Sequence, residues 1–153
     1  MSQGPIHREA KDYRWQGVEV LPYKEDDRAL FKSVTRQVLF SDPSQQSELR
    51  YFEVAPGGFS TLERHEHTHN VLILRGSGHC LVGSEVRRLA TNDLISVPPL
   101  TWHQFRATAG EPLGFLCMVN MTRDRPQLPT AEDVETLQKD PEIAAFLRGG
   151  SGV

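Results

Sequence analysis

The sequence contains little cysteine and no long hydrophobic run. Its two cysteines among 153 residues cannot build a framework of disulfides, and so small a number is typical of a reducing compartment. No apolar segment approaches the roughly 20 residues that a helix needs to span a bilayer. The polar, mixed-charge start lacks the apolar stretch of a signal peptide. We therefore expect a cytoplasmic protein that does not insert into membranes.

An excess of basic charge is also missing. The 17 Lys and Arg residues oppose 20 Asp and Glu residues, which gives a net charge of −3 at pH 7. A nucleic-acid-binding protein needs Lys and Arg clustered on one face, and no such cluster is present, so we expect no nucleic-acid partner. The length fits one domain able to bury a core. We expect a loosely ordered segment over 1–14, a barrel over 15–125 and a helical tail over 126–153.

Glycine and proline divide much of the chain into short alternating segments, a pattern typical of many small strands. The candidate strands are Gly17–Leu21, Val34–Phe40, Glu48–Val54, Asn70–Arg75, His79–Val82, Val86–Leu89, Asp93–Val97, Trp102–Thr108 and Leu113–Val119. So many short strands in one domain predict a sandwich or a barrel. Tight turns combined with a few longer crossovers favour a double-sheet jelly roll.

The last part of the chain predicts helices instead. Thr130 can cap a helix over Ala131–Lys139, and Asp140 followed by Pro141 is typical of a second helix start. The second helix would carry an apolar stripe of Ile143, Ala144, Phe146 and Leu147. The predicted fold is therefore all-β, a jelly roll with one or two short C-terminal helices packed on the outside of the barrel or across a dimer.

Histidine is crowded into one short segment. Three of the six histidines fall within five residues, at His65, His67 and His69. Imidazole is the commonest protein ligand of first-row divalent metals, and several imidazoles with a carboxylate can hold Fe, Mn, Ni, Co, Cu or Zn. On a continuous strand Glu63 would face the same way as these rings, because the side-chain period is two. His103 could complete a metal site from the opposite side of a barrel mouth. An exposed polar edge is the alternative interpretation.

The first of two spaced motifs resembles the cupin superfamily. That motif runs from a glycine through a His-x-His pair and a glutamate to a second glycine. Its spacing is reproduced at Gly57, Glu63, His65, His69 and Gly76. Glu63 stands where the family has its first histidine, and His69 stands where it has glutamate. The set of ligand types is therefore kept while two members have exchanged places.

The second cupin motif places a glycine, a Pro-x-Gly turn, a histidine and an asparagine at fixed spacing. Asn92, Pro98, Leu100, His103 and Ala107 fall at those positions. Asn92 can adopt the positive φ that glycine supplies, whereas Leu100 and Ala107 depart from the pattern. The resemblance implies a cupin barrel, the double-stranded β-helix, but it does not specify a reaction because cupins include many enzymes and plain binding proteins.

The resemblance also implies a set of metal ligands. His65, His69 and His103 are the expected ligands, and Glu63 is the fourth ligand or a neighbour linked through water. His67 then points out of the barrel or supports a ligand from behind, with replacement of Glu63 as the alternative. We expect one divalent transition metal per subunit, with manganese or iron preferred over nickel, cobalt and zinc, and a homodimeric assembly.

Cys117 is the candidate catalytic residue. It lies on a predicted strand, where alternation places it on one face with Phe115 and Val119. It can be a small buried hydrophobe. Alternatively, it is a thiol beside the metal that acts as acid, base or nucleophile once a nearby positive charge lowers its pKa from about 8.5. The weaker candidates for binding an anionic or hydroxylated substrate are Arg50, Tyr51 and Arg106, since a guanidinium matches phosphate or carboxylate.

The resemblance extends in general appearance to a sub-group of small bacterial cupins that work in methylthioadenosine salvage. It implies transfer of the methylthio group of 1-methylthio-D-xylulose 5-phosphate onto glutathione, with release of 1-deoxy-D-xylulose 5-phosphate. A metal at the ketone would act as a Lewis acid, and Cys117 would transfer a proton or attack sulfur. Two alternatives stay open at this point. One is a non-haem iron or manganese dioxygenase, and the other is a non-enzymatic metabolite-binding cupin.

Overall fold

The described part of the chain consists of short strands followed by two helices. The computed structural model describes residues 6–23 and 32–149. The strands are β1 (Leu21–Pro22), β2 (Lys32–Asp42), β3 (Ser47–Phe59), β4 (His69–Gly76), β5 (Gly78–Val82), β6 (Glu85–Leu89), β7 (Leu94–Val97), β8 (His103–Ala107) and β9 (Leu113–Asn120). The helices are α1 (Ala131–Leu137) and α2 (Pro141–Leu147). No helix among the described residues has the length and apolar character needed to cross a membrane.

The strands form one antiparallel sheet that curls on itself. Its order is β6-β5-β8-β3-β9-β4-β7, and β2 extends the sheet from β3 with β1 beside it. Strands β4 and β8 are separated by two others in this order, yet the rings of His69 and His103 at their starts have centroids 5.5 Å apart. The curl therefore brings two distant strand ends to one place. The predicted all-β jelly roll with two short C-terminal helices is confirmed.

The inner face of the sheet carries the core. Along β9 the buried residues alternate with exposed ones, so that Phe115, Cys117 and Val119 share the inner face as predicted. The ring of Phe115 packs against Phe52 at 5.7 Å and against Phe105 at 4.8 Å between centroids. Burying each such ring contributes roughly 1.5–3 kcal/mol. These three packed rings lie in the barrel interior, in the wall of the cavity that His69 and His103 also line.

The first predicted strand is wrong except at its last residue. We expected Gly17–Leu21, whereas the structure has only Leu21–Pro22 as β1. Gly17 has a φ of +74°, and the N–H of Val18 donates to the carbonyl of Trp15. The chain therefore turns where an extended strand was expected. Residues 1–5 and 150–153 of the two predicted terminal segments lie outside the described residues, and the segment boundaries stay predictions.

Both helices begin at the predicted caps. The Thr130 hydroxyl accepts from the Asp133 N–H, and the Asp133 carboxylate accepts from the Thr130 N–H, which forms a capping box. Asp140 caps α2 through its carboxylate. α1 ends at Leu137 rather than at the predicted Lys139, because Asp140 takes an extended conformation to cap the next helix. The apolar side of α2 packs with Leu81 and Val86 on the outside of the barrel.

The Pro-x-Gly position of the second motif keeps its backbone shape without glycine. Leu100 has a φ of +54°, and Asn92 has a φ of +76° as predicted. The N–H of Leu100 donates to the carbonyl of His65 at 2.7 Å. This hydrogen bond ties the second motif to the first. Leucine in a left-handed conformation costs roughly 1–2 kcal/mol. The hydrogen bond to His65 and the surrounding packing offset this cost.

Replacing Leu100 with glycine is expected to leave the free energy of unfolding unchanged or to raise it by up to about 1 kcal/mol. Glycine relieves the left-handed strain, while the greater entropy of the unfolded chain offsets part of that gain. Leu94→Gly is the matched control, because Leu94 is also exposed but lies within β7. We expect the control to lose about 1 kcal/mol in urea unfolding. Equal losses in both variants would contradict this account of Leu100.

Candidate metal centre

Three histidines from three different parts of the fold meet at the mouth of the barrel. His69 begins β4, His103 begins β8, and His65 lies in the segment that joins β3 to β4. One ligand nitrogen from each ring lies within 4.8 Å of the other two. His65 and His103 are almost fully buried, and His69 is partly buried. Three converging imidazoles at this separation can share a single divalent ion.

Backbone carbonyls fix the orientation of two of these rings. The Nδ1–H of His65 donates to the carbonyl of His67 at 2.6 Å, and that of His103 donates to the carbonyl of Thr101 at 2.9 Å. Because a carbonyl only accepts, Nδ1 carries the proton and Nε2 carries the lone pair in each neutral ring. The buried Nε2 of His65 has no hydrogen-bond partner among residues 6–23 and 32–149. Such an orphaned lone pair fits a metal ligand.

Burial keeps these rings in the form that binds metal. Burial, together with the neighbouring rings of His103 and His67, lowers the pKa of His65 from 6.5 to about 4. Burial, followed by the neighbouring rings of His65 and His103, holds the pKa of His69 far below its usual range. Both rings are therefore neutral at pH 7, since a charged imidazole would be costly in this buried cluster. Neutral imidazole is the form that donates its lone pair to a metal.

Glu63 lies beside the three histidines without belonging to their close set. Its backbone N–H and carbonyl pair with the carbonyl and N–H of His103 at 3.2 and 3.0 Å. Its side chain is buried and lines the same cavities as His69. The carboxylate is not within the 4.8 Å set formed by the described histidines. Its role as fourth ligand or as a neighbour linked through water remains a prediction.

The segment that carries the histidines is not one continuous strand. β3 ends at Phe59, β4 begins at His69, and the chain bends at residues 66 and 67. Asp124 holds this bend, since its carboxylate accepts from the N–H groups of Glu66 and His67 at 2.8 and 3.1 Å. The segment is therefore not the continuous strand on which Glu63 and the three histidines would all face one way.

His67 lies behind His65 and outside the close set of three. Its Nδ1 lies 2.6 Å from Asp124, and its ring stacks on that of His65 with centroids 3.7 Å apart. Its backbone carbonyl is the one that orients His65. Through these contacts His67 supports the ring of His65. A ligand role for His67 in place of Glu63 stays an alternative prediction.

Two cavities adjoin the histidines and differ in character. A polar cavity of about 330 Å³ opens above them, and a narrow apolar cavity of about 40 Å³ lies below in the barrel. Glu63, His69 and Tyr23 line both. The apolar cavity is further lined by Val34, Phe52, Ser60, Thr61, Val71, His103, Phe105, Phe115 and Cys117. A small molecule at the histidines could place one end in each environment.

Cys117 lies in the wall of the apolar cavity. It is 1% exposed, and an N–H of the Arg50 guanidinium points at its sulfur with 3.7 Å between Nη2 and Sγ. Burial raises the pKa of the thiol, and this outweighs the lowering effect of Arg50. The nearby positive charge expected from the sequence is present as Arg50 and does act to lower this pKa, but burial has the larger effect. At pH 7 Cys117 is a neutral thiol that holds a proton beside the histidines.

The second cysteine has a different position. Cys80 is buried in β5, and burial raises the pKa of its thiol to about 11. It does not line the apolar cavity beneath the histidines. Cys80 packs in the same apolar core as Cys117, which is usual for a buried cysteine.

The structure brings one of the three predicted substrate-binding residues to the site. Arg50 lines the polar cavity. Tyr51 faces the opposite side of β3, where its hydroxyl donates to Glu53 at 2.9 Å. Arg106 donates to the carbonyl of Leu147 at 3.0 Å and therefore packs against the end of α2. Neither Tyr51 nor Arg106 reaches the cavities, because neighbouring strand residues point to opposite faces.

Two arginines of the polar cavity were missed from the sequence. Arg36 on β2 and Arg123 after β9 line the polar cavity with Arg50. The position of Arg36, two residues after the buried Val34 on the same strand, was an available signal. Arg123 follows the last strand in irregular structure, where no periodicity indicates a direction.

Comparisons with known proteins agree with this geometry. The cupin domain family matches residues 50–119. A relative named 1-methylthio-D-xylulose 5-phosphate methylsulfurylase, from Rhodospirillum rubrum, is 57% identical over 148 residues, which are 97% of this chain and 95% of the relative.

Two crystal structures are similar at the level of fold and sequence. A cupin 2 conserved barrel domain protein from Rhodopseudomonas palustris has a TM-score of 0.88 and 55% identity, covering 92% of this chain and 97% of its own. A cupin-2 domain from Rhodospirillum rubrum has a TM-score of 0.88 and 57% identity, covering 97% of this chain and 99% of its own.

Proposed function

This chain belongs to the cupin family, and we propose that it is an enzyme that transfers the methylthio group of 1-methylthio-D-xylulose 5-phosphate to glutathione. The observation that carries this proposal is the similarity, over almost the whole chain, to the methylsulfurylase of Rhodospirillum rubrum. The site supports it, because neutral imidazoles and a thiol border two adjoining cavities, of which one is polar and the other apolar.

The proposed reaction breaks one bond to sulfur and forms another. The bond between C1 and the methylthio sulfur breaks, and its electron pair stays on C1. A proton then converts C1 into the methyl group of 1-deoxy-D-xylulose 5-phosphate. The methylthio sulfur bonds to the sulfur of glutathione, which loses its proton, and a mixed disulfide leaves. The carbon is reduced by two electrons and the sulfur pair is oxidised by two, so glutathione is the only co-reactant required.

The three histidines would hold the metal in this reaction. The residues fit such an ion, because His65 presents a buried Nε2 without a described hydrogen-bond partner toward His69 and His103. A divalent transition metal bound there supplies a Lewis acid for the negative charge that develops on the ketone oxygen. We expect manganese or iron, although an imidazole set also accepts nickel, cobalt and zinc.

Cys117 is the proposed proton carrier. Its thiol is protonated at pH 7 and lies in the wall of the apolar cavity. It can therefore give its proton to carbon as the bond to sulfur breaks. The Arg50 guanidinium beside Sγ would stabilise the thiolate that remains. The apolar side chains around it, among them Phe105 and Phe115, keep water from supplying that proton instead.

Replacing Glu63 with glutamine is expected to lower metal affinity about 10- to 100-fold, as for loss of a group that supports or completes a metal site. The change removes the negative charge while keeping the shape of a buried side chain next to His103. Glu66→Gln is the matched control, because Glu66 lies on the same segment with its side chain exposed. Competition with a fluorescent chelator gives both affinities. Identical affinities in the two variants would remove Glu63 from the metal centre.

Anaerobic turnover tests the proposed function against the dioxygenase alternative. The metal-loaded protein is incubated with 1-methylthio-D-xylulose 5-phosphate and glutathione in the absence of oxygen. We expect 1-deoxy-D-xylulose 5-phosphate and the mixed disulfide in equal amounts, measured by mass spectrometry. A strict need for oxygen would support the dioxygenase. Binding of the sugar phosphate without any product would support the metabolite-binding alternative.

A homodimer is part of the proposal. Large apolar side chains remain exposed on the sheet, among them Leu94, Phe40 and Met118. A second copy would cover such a surface, as obligate interfaces are more apolar than ordinary surface. Sedimentation equilibrium should give twice the 17.2 kDa mass of the chain. A single-chain mass at micromolar concentration would show that these side chains stay exposed.

A further inference from the structure

Three arginines line the polar cavity directly beside the histidines. They come from three different elements: Arg36 from β2, Arg50 from β3, and Arg123 from the chain that follows β9. The same cavity is lined by His65 and His69. The curl of the sheet thus gathers cationic groups that are far apart in sequence at the one opening above the candidate metal centre.

Some N–H donors of these guanidinium groups have no hydrogen-bond acceptor among the described residues. Arg50 is 4% exposed, and its buried Nε has no hydrogen-bond partner among residues 6–23 and 32–149. The Nε of Arg36 is likewise buried without a hydrogen bond to the described part of the chain. A guanidinium offers five N–H donors. Burying such donors without acceptors is costly, so these N–H groups are available to an acceptor that the described residues do not supply, such as a bound anion.

The described carboxylates near these arginines form few ion pairs with them. Glu48 lies 3.8 Å from Arg50 and 3.6 Å from Arg123, so one carboxylate serves two guanidiniums. Arg36 has no ion pair within the described ranges, and its guanidinium carbon lies 5.6 Å from the Tyr23 ring centroid. The carboxylate of Asp124 is taken by Glu66 and His67. Glu63 lines the same cavity. Within the described ranges, the ion pairs to these arginines therefore come from Glu48, which is shared by two of them.

We propose that Arg36, Arg50 and Arg123 form a binding site for the phosphate group of a phosphate monoester. Planar guanidinium groups match the oxygens of a phosphate through paired, charge-assisted hydrogen bonds. This inference rests on the proposed function, and it assigns the orientation of the substrate. With its phosphate at the arginines, the opposite end of the molecule reaches past the histidines toward the apolar cavity and Cys117.

The orientation also separates the two chemical ends of the substrate by polarity. The methylthio group is apolar, and the cavity below the histidines is lined mainly by apolar side chains. The phosphate is doubly charged, and the cavity above contains the three arginines. The reverse orientation would bury the phosphate against Phe52, Phe105 and Phe115. Burying an ion against hydrocarbon costs several kcal/mol, so the arginines decide the direction of entry.

Calorimetry with two probes tests the site. D-xylulose 5-phosphate and D-xylulose are titrated into the metal-loaded protein and into the variants Arg36→Met and Arg123→Met. We expect affinity for the phosphate ester to fall about 10- to 100-fold in each variant, as for loss of a hydrogen bond to a charged group. Affinity for D-xylulose should stay within twofold. Arg87→Met is the matched control, because Arg87 is an exposed arginine paired with Glu85 far from this cavity.

The outcome separates this inference from the proposed function. Metal content and the melting temperature first establish that each variant is folded and loaded. If the wild type converts 1-methylthio-D-xylulose 5-phosphate but both variants bind the phosphate ester normally, the inference is overturned and the function stands. If the variants lose affinity for the phosphate ester while the wild type cleaves no carbon–sulfur bond, the inference stands and the proposed function is overturned. An equal loss of affinity for D-xylulose 5-phosphate and for D-xylulose would also overturn the assignment of a phosphate site.

Discussion

Replacing His103 with alanine is expected to reduce metal content from about one ion per chain to less than a tenth of that value. His103 supplies one of three nitrogens that lie within 4.8 Å of one another, and two imidazoles alone give a weak site. We expect metal affinity to fall more than a hundredfold, beyond the 10- to 100-fold cost of losing a supporting group. Methylthio transfer should fall with it. Elemental analysis after gel filtration measures the metal directly.

His79→Ala is the control for this change. His79 lies on β5 and outside the three-histidine set, so metal content and turnover should match the wild type. Circular dichroism should show that the His103 variant keeps its strands, since removing a buried side chain from a large core costs a few kcal/mol at most. Wild-type metal content in a folded His103 variant would show that the ion binds elsewhere.

Replacing Cys117 with serine is expected to lower turnover about 100- to 10,000-fold while leaving metal content unchanged. General acid catalysis contributes a factor of this size, and a serine hydroxyl is a far weaker acid than a thiol. The smaller oxygen still fits the site beside Arg50, which can donate to it in place of the sulfur. Single-turnover measurements under anaerobic conditions would show whether the loss lies in the chemical step.

Cys80→Ser separates this role from the ordinary behaviour of a buried cysteine. Both thiols are buried, so both substitutions place a hydroxyl in the core and should cost similar stability. Only Cys117 lines the cavity that also contains His69 and His103. We therefore expect the Cys80 variant to keep wild-type turnover. Full activity in the Cys117 variant would leave that thiol as core packing.

The strands were largely predictable, because glycine and proline separate them and stretches such as 71–73 in β4 and 117–120 in β9 alternate between buried and more exposed residues. Leu113–Val119 was expected as a strand and is found as Leu113–Asn120. The exception, Gly17–Leu21, contains alternating residues but lies where a turn at Gly17 redirects the chain. Short-range alternation therefore predicts where strands are. It does not reveal where a local hydrogen bond makes the chain turn instead.

The histidines were predictable as a group because their spacing matches a known motif, whereas their surroundings were not. The bend at His67 depends on Asp124, which lies 57 residues away in sequence. The arginines were harder to predict, since Arg36 and Arg123 meet only after the sheet curls. Contacts between distant strands depend on register and curvature, which a single sequence does not specify. Leu100 shows a related effect, because its left-handed backbone follows from the fold and not from its residue type.

Metal titration of the stripped protein tests the central claim most directly. Manganese or iron is added in steps, under nitrogen, to protein freed of metal by a chelator, and formation of 1-deoxy-D-xylulose 5-phosphate is measured at each step. A single centre formed by His65, His69 and His103 predicts that activity rises linearly and stops at one ion per chain. The His103→Ala protein should stay inactive throughout. Equal activity in the stripped and reloaded protein, or no product at any metal concentration, would contradict the proposed metal-dependent enzyme.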